Sequence, residues 1–297
     1  MTDYLKRYGY TPDINEINRC LGNIAASLEN FSTEQVLKDC FSMMDLTSLK
    51  TQDTEASIAK LVRKVNDFQE SYPDFPNPAS ICVFSNFAKT VKEVKTADDV
   101  HITVVSACFP SSQSFLEVKL KECELAVRDG ADEVDIVLAL NAFMAGDCER
   151  AAEEIRQVRK TIDAVAAEQG RTVHLKVILE TGALKTAENI YKASLIAMAA
   201  GADFIKTSTG KIAVNATPEA TFIMCHAIKA WKEKAGIKMG YKPAGGVSTT
   251  EEAVQHFTLV KEILGEEWLT NKWFRMGTSR LANILLSDIL GEETKFF

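Results

Sequence analysis

Two lysines stand in runs that are otherwise apolar. Lys206 closes Asp203-Phe-Ile-Lys206 and Lys242 closes Gly240-Tyr-Lys242. Each runs straight into a loop rich in small or hydroxylated residues, Thr207-Ser-Thr-Gly-Lys211 and Pro243-Ala-Gly-Gly246. One such lysine would commonly snorkel its ammonium to solvent. Two of them at successive strand ends point to a shared site. An unperturbed lysine, with a pKa of about 10.4, is nearly all ammonium at pH 7 and cannot attack a carbonyl. Burial and a second nearby cation both disfavour the charged form, so either lysine could hold its neighbour as a free amine. That is the equipment for imine chemistry on a carbonyl substrate.

Imine formation and carbon–carbon cleavage also need a group that moves protons. Asp135 is the candidate: it interrupts Glu133-Val-Asp-Ile-Val-Leu138 on the face opposite Val134 and Ile136. A structural ion pair is the other reading, with Lys176 of Leu175-Lys-Val-Ile-Leu-Glu180 as partner. The two readings are compatible. Asp45, in Met44-Asp-Leu-Thr47, is a similar acid at the end of an earlier strand. The loops add backbone N–H groups, hydroxyls and a cation at Thr209, Gly210 and Lys211, close backbone approach at Gly245 and Gly246, and Gly277-Thr-Ser279. Such loops at consecutive strand ends suit a phosphorylated substrate. His101, His174, His226 and His256 show no metal spacing, so no metal site is expected. Cys82 reads as packing. No nucleotide-binding glycine motif is present.

These residues need a scaffold that brings strand ends together. Short β-branched runs are predicted near Met43–Leu46, Ser80–Phe84, His101–Ser106, Glu133–Leu138, Val173–Glu180, Asp203–Thr207, Lys238–Lys242 and Trp273–Met276. Helical spacing lies between them. Eight such units imply parallel strands joined by crossovers: an α/β fold, a single (β/α)8 TIM barrel, with an open doubly wound sheet as the weaker alternative. Thr217-Pro218-Glu219 reads as a helix start, and Ser248 to Glu251 resembles a capping box. In Ser114–Arg128, the residues Phe115, Val118, Cys123, Leu125 and Ala126 are assigned to one apolar side. The first strand begins near residue 43, so residues 1–40, with a helix through Ile14–Leu28, form an N-terminal helical extension to a catalytic barrel of residues 41–297.

Composition narrows the partners. The 297 residues carry 34 Lys+Arg against 41 Asp+Glu, a formal charge of −7. That balance argues against nucleic acid as the main partner, since such binding relies on cations neutralising phosphates. It leaves room for a small phosphorylated ligand in a locally basic pocket. The seven cysteines are odd in number and lack a C-x-x-C spacing, which fits a reducing cytoplasm rather than a disulfide framework. Met1 to Tyr10 has no apolar leader core, and no stretch is long and apolar enough for a membrane span.

With these residues in view, the chain resembles the 2-deoxyribose-5-phosphate aldolases, a family of class I, Schiff-base aldolases. The matching stretches are MDLT (Met44–Thr47), ICVF (Ile81–Phe84), GADEVDIV (Gly130–Val137), LKVILETG (Leu175–Gly182), GADFIKTSTGK (Gly201–Lys211), the VNATPE that follows, and KPAGGV (Lys242–Val247). They occur in the family's order and cover residues 40 to 285 or so. The resemblance implies reversible cleavage of 2-deoxy-D-ribose 5-phosphate to D-glyceraldehyde 3-phosphate and acetaldehyde, without metal or organic cofactor. It implies that Lys206 is the Schiff-base lysine, that Lys242 lowers its pKa and joins the proton relay, and that Asp135 is the acid/base. Asp45 and Lys176 fall at supporting positions; Thr209, Gly210, Lys211, Gly245, Gly246, Gly277 and Ser279 fall where the family binds phosphate. The expected enzyme is a cytoplasmic lyase of deoxyribose phosphate catabolism and a homo-oligomer, as a dimer. Three departures stand out: the N-terminal segment is longer than in short bacterial forms; Arg280 replaces a second serine; and the chain ends Lys295-Phe296-Phe297, without the tail tyrosine of some members. A sugar-phosphate isomerase or epimerase on the same barrel, needing no imine, is the competing enzyme; a barrel kept only for binding is the non-enzymatic one.

Overall fold

The computed structural model describes residues 7–9 and 13–297. The reading of Met1 to Tyr10 as leaderless falls, apart from residues 7–9, outside the described residues. Eight parallel strands follow one another: β1 (Met44–Thr47), β2 (Ser80–Phe84), β3 (His101–Val105), β4 (Glu133–Val137), β5 (His174–Ile178), β6 (Phe204–Lys206), β7 (Gly240–Lys242) and β8 (Met276–Thr278). Each pairs with its sequence neighbour from β1 to β7, and β1 also pairs with β8. The parallel bridges Tyr241↔Phe274 and Ala244↔Gly277 close the ring between β7 and β8. The fold is the (β/α)8 barrel, and the open sheet is set aside.

The strands turn apolar side chains outward. Ile81, Val83, Ile102, Val104, Val134, Ile136, Leu175, Val177, Ile205 and Tyr241 are all buried in one continuous core against the surrounding helices. Removing that surface from water is the main stabilising term. Helix starts are chemically specified. Thr217 caps Pro218–Ala235, its hydroxyl accepting from the Ala220 N–H at 3.1 Å. The capping box of Thr250–Leu264 is Thr249 with Glu252, one residue later than Ser248 to Glu251 suggests. Among the described residues the helices Ile14–Phe31 and Glu34–Ser42 lie between residue 13 and β1, and both pack against Thr250–Leu264. The second runs across residue 40.

Two expectations are corrected. The eighth strand is Met276–Thr278, shifted from Trp273–Met276, because pairing with β1 begins at Met276 and continues through Gly277. The helix Leu116–Arg128 buries Lys119, Cys123, Ala126 and Val127, while Phe115, Val118 and Leu125 lie exposed. At 100° per residue Val118 and Leu125 lie about 20° apart and roughly 140–160° from Cys123, while Phe115 is the extended N-cap residue ahead of the first turn. Lys119 is buried because its ammonium pairs with Glu154 at 2.7 Å and donates to Ser112 at 3.0 Å. All seven cysteines are free thiols. No described helix is long and apolar enough to cross a membrane.

Candidate active site

The inward faces of the same strands carry charge. Asp135 in β4 receives three lysines: Lys176 Nζ at 3.0 Å on Oδ1, and Lys206 and Lys242 Nζ at 2.8 Å each on Oδ2. These side chains come from β5, β6 and β7, and only the barrel interior lets them meet. Asp45 in β1 reaches across to Lys242, an ion pair at 2.5 Å without hydrogen-bond alignment on Oδ2. Its other oxygen accepts from Arg275 Nη1 at 2.6 Å. All of these side chains are buried.

Isolated charges in such a place would be severely destabilising, so the pairing decides their state. Burial opposes ionisation of Asp135, but Lys176, Lys206 and Lys242 more than offset it and hold the carboxyl far below its ordinary range. Burial likewise opposes ionisation of Asp45; Lys242, Arg275 and Lys176 bring it down to about 2. The lysines then divide. Burial works against the ammonium of Lys242, yet Asp135 and Asp45 together raise its pKa well above the usual lysine value. Lys176, also opposed by burial, is raised by Asp135, Glu133 and Asp45. Lys206 is lowered: burial disfavours its charge, Asp135 is its one carboxylate partner among the described residues, and Lys242 repels it. An amine that gives up its proton readily, beside a lysine that keeps one, is suited to attack a carbonyl and to proton delivery.

The loops above β6, β7 and β8 form the mouth. Thr209 is clamped by Glu180, whose carboxylate accepts from its hydroxyl at 2.6 Å and its N–H at 3.2 Å. Lys211 reaches over the rim, and its ammonium donates to the Leu49 carbonyl at 2.6 Å. The loops after β6 and β7 touch at glycine: a Cβ on Gly245, whose φ is +70°, would lie 2.9 Å from Gly210 Cα and 2.8 Å from Asn215 Oδ1. Gly246 follows in the same loop. Ser279 and Arg280 are exposed at the start of Leu281–Leu290. Gly277 lies in β8 rather than in a loop; a Cβ there would meet Lys242 Cε at 3.0 Å and Ala244 Cβ at 2.8 Å. Its bareness gives the Lys242 stem its channel.

The structure thus brings Asp45, Asp135, Lys176, Lys206 and Lys242 into one cluster. Thr209, Gly210, Lys211, Gly245 and Gly246 lie around the mouth, with Ser279 on the loop that leaves β8. Sequence reasoning passed over Glu133, Arg275 and Glu180. His101 and His174, read as scattered, both approach Glu133 Oε1, at 2.7 and 3.9 Å. Among the described residues, Thr181 Oγ1, Ser208 Oγ and Asn215 Oδ1 are buried without a hydrogen-bond partner. Cys82 lies among the site charges, and burial pushes its thiol up despite Lys242.

Fold and site define a (β/α)8-barrel enzyme built around a lysine of reduced proton affinity. The chain belongs to the DeoC/LacD family of aldolases, whose family model matches residues 40–284. It is therefore a lyase by family. It is similar to the human protein named deoxyribose-phosphate aldolase, with 41% identity over 258 residues, 84% of this chain and 77% of that one. The protein of the same name from Agrobacterium fabrum is 40% identical over 252 residues, 85% of this chain and 91% of that one. A solved structure titled "QR15, an Aldolase" superimposes with a TM-score of 0.67 at 28% identity, covering 85% of this chain and 96% of that one.

Proposed function

We propose that this protein is a deoxyribose-phosphate aldolase, cleaving 2-deoxy-D-ribose 5-phosphate reversibly to D-glyceraldehyde 3-phosphate and acetaldehyde through an imine on Lys206. The observation that carries the reading is the division among the interior lysines: Lys206 alone of the three has a lowered pKa. Its free amine attacks the C1 aldehyde, and the Lys242 ammonium protonates the carbinolamine oxygen, which leaves as water. The cationic imine accepts the electron pair of the C2–C3 bond as the C3 hydroxyl loses its proton. Glyceraldehyde 3-phosphate departs, the enamine is protonated at C2, and water releases acetaldehyde. Asp135, held as a carboxylate, orients both amines and shuttles protons between them. Lys176 and Asp45 support it. Thr209, Gly210, Lys211, Gly245, Gly246, Gly277 and Ser279 receive the phosphate end, and Arg280 stands where it could add a charge-assisted contact. The sequence balances without metal or organic cofactor.

In this reading residues 1–40 are an extension to a catalytic domain of residues 41–297. The enzyme acts in the cytoplasm, as a homodimer, in the breakdown of deoxyribose phosphate. An isomerase or epimerase would have no use for the low-pKa lysine. Borohydride reduction in the presence of acetaldehyde tests the reading. A two-carbon adduct mapped to Lys206 by mass spectrometry is expected; an unmodified Lys206 would rule out the imine.

A further inference from the structure

Beneath the proposed nucleophile the interior charges form a closed ring. Arg275 forks at the floor of the barrel: Nη2 donates to Glu133 Oε1 at 2.6 Å, and Nη1 donates to Asp45 Oδ1 at 2.6 Å and to Glu133 Oε2 at 3.1 Å. One arm runs from Glu133 to Lys176 and on to Asp135 at 3.0 Å. The other runs from Asp45 to Lys242 at 2.5 Å and on to Asp135 at 2.8 Å. Lys176 also lies 3.7 Å from Asp45, a brace between the arms. Cation and carboxylate alternate all the way round: Arg275, Glu133, Lys176, Asp135, Lys242, Asp45.

Three positive charges meet three negative ones, so the ring is balanced without Lys206. Lys206 is a fourth cation attached at Asp135, which the ring already uses and which is its one carboxylate partner among the described residues. In a buried site that excess charge is most readily shed by the group outside the ring. We propose that Glu133 and Arg275 are positioning residues that set the protonation of Lys206 through this ring, without touching the substrate. The proposal rests on Lys206 being the imine-forming lysine.

The groups facing Lys206 are Asp135 from β4, Lys242 from β7 and Cys82 from β2. Behind them stand Lys176 from β5, Asp45 from β1, and Glu133 and Arg275. His101 from β3 and His174 from β5 face Glu133 at the floor. Removing a ring carboxylate leaves the interior more positive, so Lys206 loses its proton more easily. Removing a ring cation does the reverse.

The test is the pH dependence of borohydride trapping of acetaldehyde on Lys206 in the full-length protein. Glu133→Gln should move the midpoint down, and Arg275→Met should move it up, each by roughly one pH unit. The double variant, with one charge of each sign removed, should return close to the wild-type midpoint. Asp45→Asn and Lys176→Met predict the same downward and upward shifts from the other positions in the ring, so a failure of either floor variant to fold leaves one of each sign measurable. A parallel set carrying His101→Gln and His174→Gln separates the titration of the floor histidines from that of Lys206. Opposite shifts that cancel in the double establish the proposal. Folded variants that trap less protein at an unmoved midpoint, or that shift in one direction regardless of sign, overturn it. Absence of any wild-type adduct on Lys206 would remove the imine reading and this proposal with it, an outcome distinct from a wild-type adduct with unmoved midpoints.

Discussion

Ile205 and Lys206 are neighbours in β6, yet they face different media. Ile205 points outward into the apolar layer between strands and helices, and Lys206 points inward at Asp135. The same division runs along β4, where Val134 and Ile136 face the helices and Glu133 and Asp135 face the interior. The outer face gains from every apolar atom it buries, with little demand on geometry. The inner face carries a desolvation cost that only accurate pairing offsets, and replacing such pairs with well-packed apolar groups is often neutral or stabilising. A strand thus gains stability on one side and keeps charges in place for chemistry on the other.

Substituting the two neighbours separately should split the two properties, and these are the largest effects. Lys206→Met removes the proposed nucleophile, and turnover of deoxyribose 5-phosphate should fall at least about a thousandfold, about 4 kcal/mol of barrier. Its unfolding midpoint should move little, because Asp135 keeps Lys176 and Lys242. Ile205→Ala should lower stability by about 2–5 kcal/mol in urea titration. Its folded molecules should still trap acetaldehyde on Lys206. An Ile205→Ala protein that folds fully but traps as poorly as Lys206→Met would show that the two faces are not separable.

The same contrast explains what could be read from the residues alone. Lys206, Lys242, Lys176 and Asp135 were legible because a charge inside an apolar run has few bland explanations. Glu133 and Arg275 were not, although they complete the ring. Glu133 opens its strand and Arg275 precedes β8, and charged residues at element ends ordinarily meet water. Only the closure of the barrel turns those ends inward, and closure is a tertiary fact. The displacement of β8 has a related cause: Gly277 reads as a turn, whereas its missing Cβ accommodates Lys242 from the next strand. Phe115, Val118 and Leu125 were assigned to one apolar side for their composition, although the helical angle sets Val118 and Leu125 well apart from Cys123 and Phe115 precedes the first turn.

Acid should attack the two faces in succession. Outside the barrel, His256 is buried with Nδ1 2.7 Å from Thr221 Oγ1, which in turn lies 2.7 Å from the Tyr241 hydroxyl. Burial lowers the His256 pKa to about 4 from an ordinary 6.5. Between those values the unfolded chain binds a proton that the folded chain refuses, so stability falls as pH drops from about 6.5 to about 4 and then levels. A tenfold change in proton affinity is worth about 1.4 kcal/mol, so the whole loss amounts to a few kcal/mol. Inside, Asp45 is held at about 2 against an ordinary 3.8. Its contribution is fully present above the ordinary value and is lost as pH falls toward 2. Urea titrations at stepped pH should show the first loss and then the second. In His256→Gln the loss between pH 7 and pH 4 should shrink by that amount, while the loss below pH 4 remains. A variant that keeps the first loss unchanged would place its origin elsewhere.

The smallest effect belongs to the tail, which joins the outer face rather than the site. Asn283 fastens it: its Oδ1 accepts from the N–H groups of Phe296 and Phe297, both at 2.9 Å, and its Nδ2 donates to the Phe297 carbonyl at 2.9 Å. The rings continue an aromatic cluster, with Phe297 centred 5.2 Å from Phe68 and Phe296 centred 5.5 Å from Tyr72. Neither ring carries a group that can move a proton, and both are engaged with side chains of the outer layer. Phe297→Ala should therefore cost about 1 kcal/mol of stability, the scale of an aromatic pair. Trapping on Lys206 and its pH midpoint should stay at wild-type values. A Phe297→Ala protein of normal stability but slowed trapping would move the tail from the apolar side of the comparison to the charged one.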